Sequence, residues 1–150
     1  MAIRYAHTNL IAHDWEKLAG FYQQVFGCEP LEPKRDQQGD WLERGSGVPN
    51  AHLRGQHLRL PGHGAQGPTL EIYQYDEVIA QSHPVANRAG YGHIAFCVDD
   101  VPDALRHIIA AGGKAQGEIV STPVEGIGTL TFTYARDPEG NLIEIQAWSR

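Results

Sequence analysis

The sequence predicts an α+β protein built from two equivalent modules, each with the order strand, helix and three further strands. Three observations support this prediction. A short alternating segment is followed by an amphipathic helix near the start of the chain, the same pair of elements recurs 86 residues later, and strand-like alternation follows each pair. We place module one at about residues 1–78 and module two at about residues 90–150. At 150 residues, the two modules fit within one domain spanning residues 1–150.

The repeat is marked by residues that recur at a constant spacing without a gap. After a shift of 86 positions, His7 falls on His93, Asp14 on Asp100, and Gly27 on Gly113. Aspartate is a common helix N-cap, and glycine commonly ends a helix, so two of these matches bound the same helix in each module. A single histidine on a strand would say little about function. A histidine that recurs at the same place in both modules indicates a common role.

The segments of module one follow the chain in order. A strand is predicted where polar and apolar residues alternate, and the helix is predicted from an apolar stripe after Asp14. The predicted elements are a strand over residues 3–11, a helix through residue 26, a hairpin of two short strands over 28–44 with its turn at 36–40, a loop over 45–50, a strand over 52–60, a flexible connection over 61–68 and a strand over 69–75.

Module two repeats this order with clearer periodicity. Its predicted elements are a strand over residues 93–98, a helix over 101–111, and strands over 114–120, 129–134 and 142–148, with a turn at 136–141. In the first of these strands Ile94 and Phe96 fall on the core face, and His93 and Cys97 fall on the other face. Glu144 likewise lies on a face that is not the core, as Glu71 does in module one.

The net charge and the composition limit the classes of partner that this protein is expected to bind. The formal net charge of -6 and the absence of a Lys or Arg run argue against nucleic acid or an anionic membrane as the main partner. A small molecule or another protein is expected instead. The N-terminal segment lacks an apolar core typical of a signal peptide, so we expect a cytoplasmic protein. Cys28 and Cys97 are expected to be reduced thiols, because two cysteines without close spacing do not indicate a disulfide framework.

Four residues stand at equivalent places in the two modules and could hold a metal ion. They are His7, Glu71, His93 and Glu144. Two imidazoles and two carboxylates form a mixed nitrogen and oxygen set that suits Ni, Co, Zn, Mn or Fe. The alternative is that they are four unrelated polar residues on solvated strand faces, since alternation always leaves polar residues on the outer face.

Sequence motifs along nearly the whole chain resemble the glyoxalase I or vicinal oxygen chelate (VOC) superfamily, which includes glyoxalases, bleomycin resistance proteins and dioxygenases. The motifs are His-Thr-x-Leu at residues 7–10, Phe-Tyr at 21–22, Phe-Gly at 26–27, Leu-Glu-Ile at 70–72, Gly-His-Ile-Ala-Phe-x-Val-Asp at 92–99 and Asp-Pro-Glu-Gly-Asn-Leu-Ile-Glu at 137–144. The last two blocks are specific as a pair, although each alone is weak.

The resemblance implies two βαβββ modules that pair into an open, U-shaped mixed sheet around one divalent metal ion. It places the metal ligands at His7, Glu71, His93 and Glu144, a set like that of bacterial nickel- or cobalt-dependent glyoxalases. Zn is equally compatible, and Mn or Fe is possible. The implied reaction is proton transfer next to a carbonyl through an enediolate stabilised by the metal, as in a lactoylglutathione lyase-like lyase or isomerase. Glu144 is the first candidate for the catalytic base and Glu71 the second.

Two departures from the glyoxalase pattern bear on the substrate. Glyoxalases that bind glutathione resemble one another in an Arg four residues after the first ligand and an Asn four residues after the second. Here those places hold Ile11 and Tyr75. We therefore expect an enzyme that does not depend strongly on glutathione. The second departure is a long segment at 49–68 that contains His52, His57 and His63. These histidines could contact substrate, but we expect them to be exposed loop residues.

Two other functions stay open at this point. An extradiol-type ring-cleaving dioxygenase uses two His and one Glu, and a non-catalytic binder of small molecules such as antibiotics typically lacks the ligands. The carboxylate of Glu71 argues against both. Short members of the family commonly pair, so a homodimer is also expected.

Overall fold

Two compact units make up the chain, and the first contains two helices and a four-stranded sheet. The computed structural model describes residues 1–150, and the first unit spans Met1–Ala80. Its elements are β1 (His7–Ile11), α1 (Trp15–Phe26), β2 (Glu29–Gln38), α2 (Asp40–Ser46), β3 (His52–Arg59) and β4 (Thr69–Tyr75). The strand order is β1-β4-β3-β2, with β1 parallel to β4 and the other neighbours antiparallel.

Helix α1 begins and ends where the sequence predicts. The Asp14 carboxylate accepts a hydrogen bond from the Lys17 N–H at 3.1 Å, and Gly27 ends the helix in the left-handed region at φ 68°. The apolar stripe is buried in the unit's core together with strand residues of β3 and β4. The fully buried members are Leu18 and Tyr22 of the helix and Leu58, Leu70 and Ile72 of the strands.

The predicted hairpin at residues 28–44 is wrong. Residues 29–38 form one strand, and the chain turns at Gly39 (φ 123°) into helix α2. This helix buries only Leu42, which packs with Leu53 and Tyr73 in a small cluster, and its Arg44 and Asp40 form an exposed ion pair at 2.6 Å. A helix with a single buried residue produces no apolar period, so its sequence resembles a polar turn.

The second unit, Gln81–Arg150, contains one helix and a five-stranded sheet. Its elements are β5 (Ile94–Cys97), α3 (Val101–Ala110), β6 (Lys114–Ala115), β7 (Val120–Val124), β8 (Gly128–Arg136) and β9 (Leu142–Ser149). The order is β5-β9-β8-β6, and β7 also pairs with β8. The predicted strand at 114–120 is therefore two strands. The ladder breaks where the N–H groups of Gln116 and Gly117 both donate to the Tyr134 carbonyl, at 3.0 and 3.2 Å.

Helix α3 repeats the design of α1. The Asp100 carboxylate accepts from the Asp103 N–H at 2.7 Å, and Ile108 is fully buried, as are Ile143 and Ile145 of β9. The α+β class predicted from the sequence is confirmed, and each unit contains one open mixed sheet, as the resemblance implies for the modules. None of the three helices is long and apolar enough to cross a membrane.

A cluster of charges ties together β2, β3 and the end of β4 in the first unit. His52 contacts Asp36 at 2.6 Å through Nε2 and Asp76 at 2.9 Å through Nδ1, while Arg54 donates to Asp76 at 2.9 Å. The hydrogen bonds to Asp36 and Asp76 raise the pKa of His52 above 6.5, although the Arg54 charge opposes this. Hydrogen bonds from Arg54 and His52 lower the pKa of Asp76 below 3.8.

These shifts predict a pH window in which the cluster stabilises the fold. The raised pKa of His52 makes its contribution complete below about pH 6.5 and lost as the pH rises through the folded value. The lowered pKa of Asp76 makes its contribution present above about pH 3.8 and lost as the pH falls through the folded value. We expect the free energy of unfolding of wild type to exceed that of His52→Gln most near pH 5.5, and this difference to shrink by pH 9.

Urea unfolding at several pH values measures this difference. His63→Gln is the matched control, because His63 lies exposed in the loop before β4. Because the carboxylates of Asp36 and Asp76 are exposed, added salt should reduce the stability difference between wild type and His52→Gln. A stability difference that grows from pH 5.5 to pH 9 would contradict the assignment.

Candidate metal centre

The register of the first sheet brings two histidines beside Glu71. In the parallel pair β1 and β4, Asn9 lies opposite Glu71, with His7 two residues before it on the same face. In the antiparallel pair β3 and β4, His57 lies directly opposite Glu71. His7, His57 and Glu71 therefore project from the same face of this sheet.

The three side chains converge on one point. His7 Nε2 lies 3.6 Å from Glu71 Oε1, and His57 Nε2 lies 2.8 Å from Glu71 Oε2. One ligand atom from each residue lies within 4.8 Å of the other two. The carboxylate is largely buried, with 12 % of its side chain exposed, whereas His7 is 40 % exposed. The group is thus open to solvent on the His7 side.

Neighbouring polar groups fix this arrangement. The Asn9 side-chain amide donates to Glu71 Oε1 at 2.7 Å, and His57 Nδ1 lies 2.8 Å from the Thr69 hydroxyl. Burial lowers the pKa of His57, although the Glu71 charge opposes it. Burial and the Glu71 charge raise the pKa of Tyr73 to about 12, and the Tyr73 hydroxyl lies 3.4 Å from His57 Nε2. Burial therefore favours a neutral imidazole beside the carboxylate.

The second unit contains the equivalent pair. His93 Nε2 lies 3.0 Å from Glu144 Oε2, with 30 % and 15 % of the two side chains exposed. Glu144 lies opposite Ala95 on one neighbouring strand and Tyr134 on the other. The His93 and Tyr134 rings are 4.9 Å apart, so an aromatic side chain borders this pair.

Each predicted His and Glu therefore has its partner within its own unit: His7 with Glu71, and His93 with Glu144. The sequence interpretation missed His57, which was expected to be an exposed loop residue. It lies on β3 instead, with 19 % of its side chain exposed. The strands over 52–60 and 69–75 were both predicted, and antiparallel pairing of the two around their short connection was the signal that could have placed His57 opposite Glu71.

The other residues considered in the sequence either pack in the interior or lie at the surface. Tyr75 packs against the cluster of Leu42, Leu53 and Tyr73, so this tyrosine is a packing residue. Ile11, at the end of β1, is 42 % exposed. Cys28 and Cys97 are free thiols; burial raises the pKa of Cys28 to about 11, and Cys97 is exposed.

The donor chemistry of both pairs fits a divalent metal ion. Ligand atoms that each lie about 2.1 Å from one metal ion are about 3 Å apart when they are adjacent. The distances of 3.6 Å in the first pair and 3.0 Å in the second are close to that spacing. Imidazole nitrogen and carboxylate oxygen together suit Zn, Ni, Co and Fe.

Comparison with known proteins gives a consistent result. The model of the Glyoxalase/Bleomycin resistance protein/Dioxygenase superfamily matches residues 4–145. A protein named probable lactoylglutathione lyase from Vibrio cholerae is 31% identical over 144 residues, covering 95% of this chain and 88% of that protein. One of the same name from Vibrio parahaemolyticus is 29% identical over 150 residues, with the same coverage.

Among solved structures, a glyoxalase family protein from Bacillus cereus has the same fold. The TM-score is 0.84 at 18% identity, and the alignment covers 100% of this chain and 97% of that one. The family match spans nearly all of the sequence, including both His and Glu pairs. The chain therefore belongs to the Glyoxalase/Bleomycin resistance protein/Dioxygenase superfamily.

Proposed function

We propose that this protein is a metal-dependent lyase or isomerase of the glyoxalase I type, which moves a proton next to a substrate carbonyl without strong dependence on glutathione. The observation that carries this proposal is the pair of His and Glu contacts, one in each unit, with ligand-like spacing. The relatives named lactoylglutathione lyase support the same reaction class.

His7, Glu71, His93 and Glu144 are the proposed ligands of one divalent ion, with Ni, Co or Zn preferred and Mn or Fe possible. When bound, the ion supplies a positive charge that stabilises negative charge developing on a substrate oxygen. Residues 1–150 are proposed to form one domain whose two modules supply these ligands.

Glu144 is the proposed base that takes the proton from the carbon next to the carbonyl and returns it to the neighbouring carbon. Both oxygens of Glu71 are engaged, by Asn9 at 2.7 Å and by His57 at 2.8 Å. Glu144 Oε2 contacts His93 at 3.0 Å. Glu144 is in contact with fewer polar groups than Glu71, so it is the better placed base, and Glu71 is the second candidate.

The proposed partners are a small carbonyl substrate and a second copy of the chain, in the cytoplasm. Strands β1 and β5 are edge strands of their own sheets. Edge strands carry unpaired backbone groups, and a symmetric homodimer is a common way to cover such edges.

Metal content and proton exchange test the proposed function together. Protein purified without a metal-binding tag and loaded with Ni, Co, Zn or Mn should hold about one ion per set of four ligands. With hemithioacetals and α-hydroxyketones in D2O, NMR should show deuterium entering at the carbon next to the carbonyl, and chelation should stop this exchange.

Three outcomes would contradict the proposal. Less than roughly a tenth of an ion per chain after loading would exclude the metal site. Iron-dependent oxygen uptake with a catechol, without proton exchange on any carbonyl compound, would indicate a ring-cleaving dioxygenase instead. Binding of a metal-free antibiotic with neither activity would indicate the non-catalytic alternative.

A further inference from the structure

We infer that His57 is an additional metal ligand, so that the first unit holds its ion with His7, His57 and Glu71. This inference rests on the proposed function, because it adds a ligand to the same metal site. The four ligands suggested by the repeat do not include His57, since module two has no histidine at the matching place. His57 lies opposite Glu71 in its ladder, and the residue opposite Glu144 in the ladder of β8 and β9 is Tyr134.

The geometry of the first unit supports three ligands rather than two. His57 Nε2 lies 2.8 Å from Glu71 Oε2, and His7 Nε2 lies 3.6 Å from Glu71 Oε1, so the histidines face different oxygens of one carboxylate. The His7 and His57 rings are edge-on at 5.5 Å. All three ligand atoms lie within 4.8 Å of one another, which allows one ion to reach them together.

The other nitrogen of His57 supports the same role. Nδ1 lies 2.8 Å from the Thr69 hydroxyl, whose oxygen can accept a hydrogen bond from an Nδ1–H. Metal-binding histidines usually donate their second ring N–H to such an acceptor, because this fixes the tautomer and aims the free lone pair at the metal. Strands β3 and β4 hold the two residues in place, because Thr69 lies on β4 two residues before Glu71, which is the residue opposite His57 in the ladder.

The competing role for His57 is to orient Glu71 by donating an Nε2–H to it. Asn9 already donates to Oε1 of this carboxylate at 2.7 Å, so Glu71 is oriented without a second donor. The two roles place the proton on different nitrogens. In the ligand role Nδ1 carries the proton, and in the orienting role Nε2 carries it.

With His57 the proposed set would contain five side chains, one more than the four ligands that zinc in proteins usually takes. A metal ion that accepts more than four ligands would therefore be favoured.

Cobalt provides a direct test in the full chain. In Co(II)-loaded wild type, each coordinating imidazole with a bound N–H gives a strongly shifted, exchangeable proton resonance. We expect three such resonances, from His7, His57 and His93, and His57→Gln should remove one of them. Two resonances in wild type, both retained in His57→Gln, would overturn the inference.

Affinity gives a second readout, with His63→Gln as the control because this exposed loop histidine belongs to the same segment. His57→Gln should bind Co(II) at least about tenfold to a hundredfold more weakly, and His63→Gln should bind like wild type. Circular dichroism shows whether the variant is folded. If His57→Gln does not fold, the number of resonances in wild type still decides.

The outcomes separate this inference from the proposed function. If wild type binds no Co(II), both fail. If wild type binds Co(II) with two shifted resonances and the affinity of His57→Gln is unchanged, the metal site stands and only the role of His57 is overturned.

Discussion

Glu144→Gln is expected to lower kcat by about a hundredfold to ten-thousandfold, while the bound metal stays near the wild-type amount. The reason is that general base catalysis contributes about this factor, and an amide cannot take a proton at neutral pH. The amide oxygen can still face a metal ion, and the volume of the side chain is unchanged. Turnover on the identified substrate and metal content of the same preparation are the two measurements.

Two variants complete the experiment. Glu125→Gln removes a carboxylate from an exposed turn between β7 and β8, so it should leave turnover and metal unchanged. Glu71→Gln is the matching variant at the second candidate for the base, and it should retain far more turnover than Glu144→Gln if Glu144 is the base. A Glu144→Gln enzyme with bound metal and near-normal turnover would move the base to Glu71.

The elements that the sequence predicted best are those with strong local signals. Helices α1 and α3 each combine an aspartate cap, an apolar stripe and a glycine that follows, and the structure confirms both. Strand β4 was equally clear, because Leu70 and Ile72 alternate with polar neighbours and are buried. Local capping and periodicity therefore carry most of the information about these elements.

The segments whose structure was predicted incorrectly lack such local signals. Strand β2 and helix α2 bury little, and their polar sequence matches a turn as well as an element. The edge position of β2 in its sheet leaves no alternation to detect. A segment whose structure depends on packing by distant residues, such as Leu42 against Tyr73, cannot be read from its own pattern.

The candidate site was predicted in part for a similar reason. The repeat identified His7, Glu71, His93 and Glu144 as equivalent, and each His contacts the Glu of its own unit. His57 has no counterpart in the repeat, so only the pairing register of β3 and β4 reveals its position. An internal repeat reveals the candidate ligands that both modules share. It cannot reveal a candidate ligand that is present in only one module.

Weak dependence on glutathione is the second large effect that we expect. The methylglyoxal–glutathione hemithioacetal should be turned over with a kcat/KM at least about a hundredfold below that of an ordinary glyoxalase. Hydrogen bonds to charged groups contribute about 1.5 to 3 kcal/mol each, which is about tenfold to a hundredfold in kcat/KM. The two places that would supply such bonds hold Ile11 and Tyr75, which carry neither a charge nor an amide.

The structure shows why only one of these places can be used to restore binding. Tyr75 packs against Leu42, Leu53 and Tyr73, so Tyr75→Asn would damage the small cluster that holds α2. Ile11 is 42 % exposed and lies opposite Tyr73 in the register, on the face that carries Glu71. An Arg at position 11 can extend into solvent without displacing the core.

Ile11→Arg is therefore expected to lower KM for the glutathione hemithioacetal by about tenfold to a hundredfold, with Ile11→Gln as an uncharged control of similar length. The same variants assayed with a hemithioacetal of a small uncharged thiol should not differ in KM, because the gain requires the carboxylates of the tripeptide. Since two relatives are named lactoylglutathione lyase, the wild-type assay is itself decisive. Wild-type activity near that of an ordinary glyoxalase, or an Ile11→Arg enzyme that improves equally on both thiols, would show that glutathione is recognised through other residues.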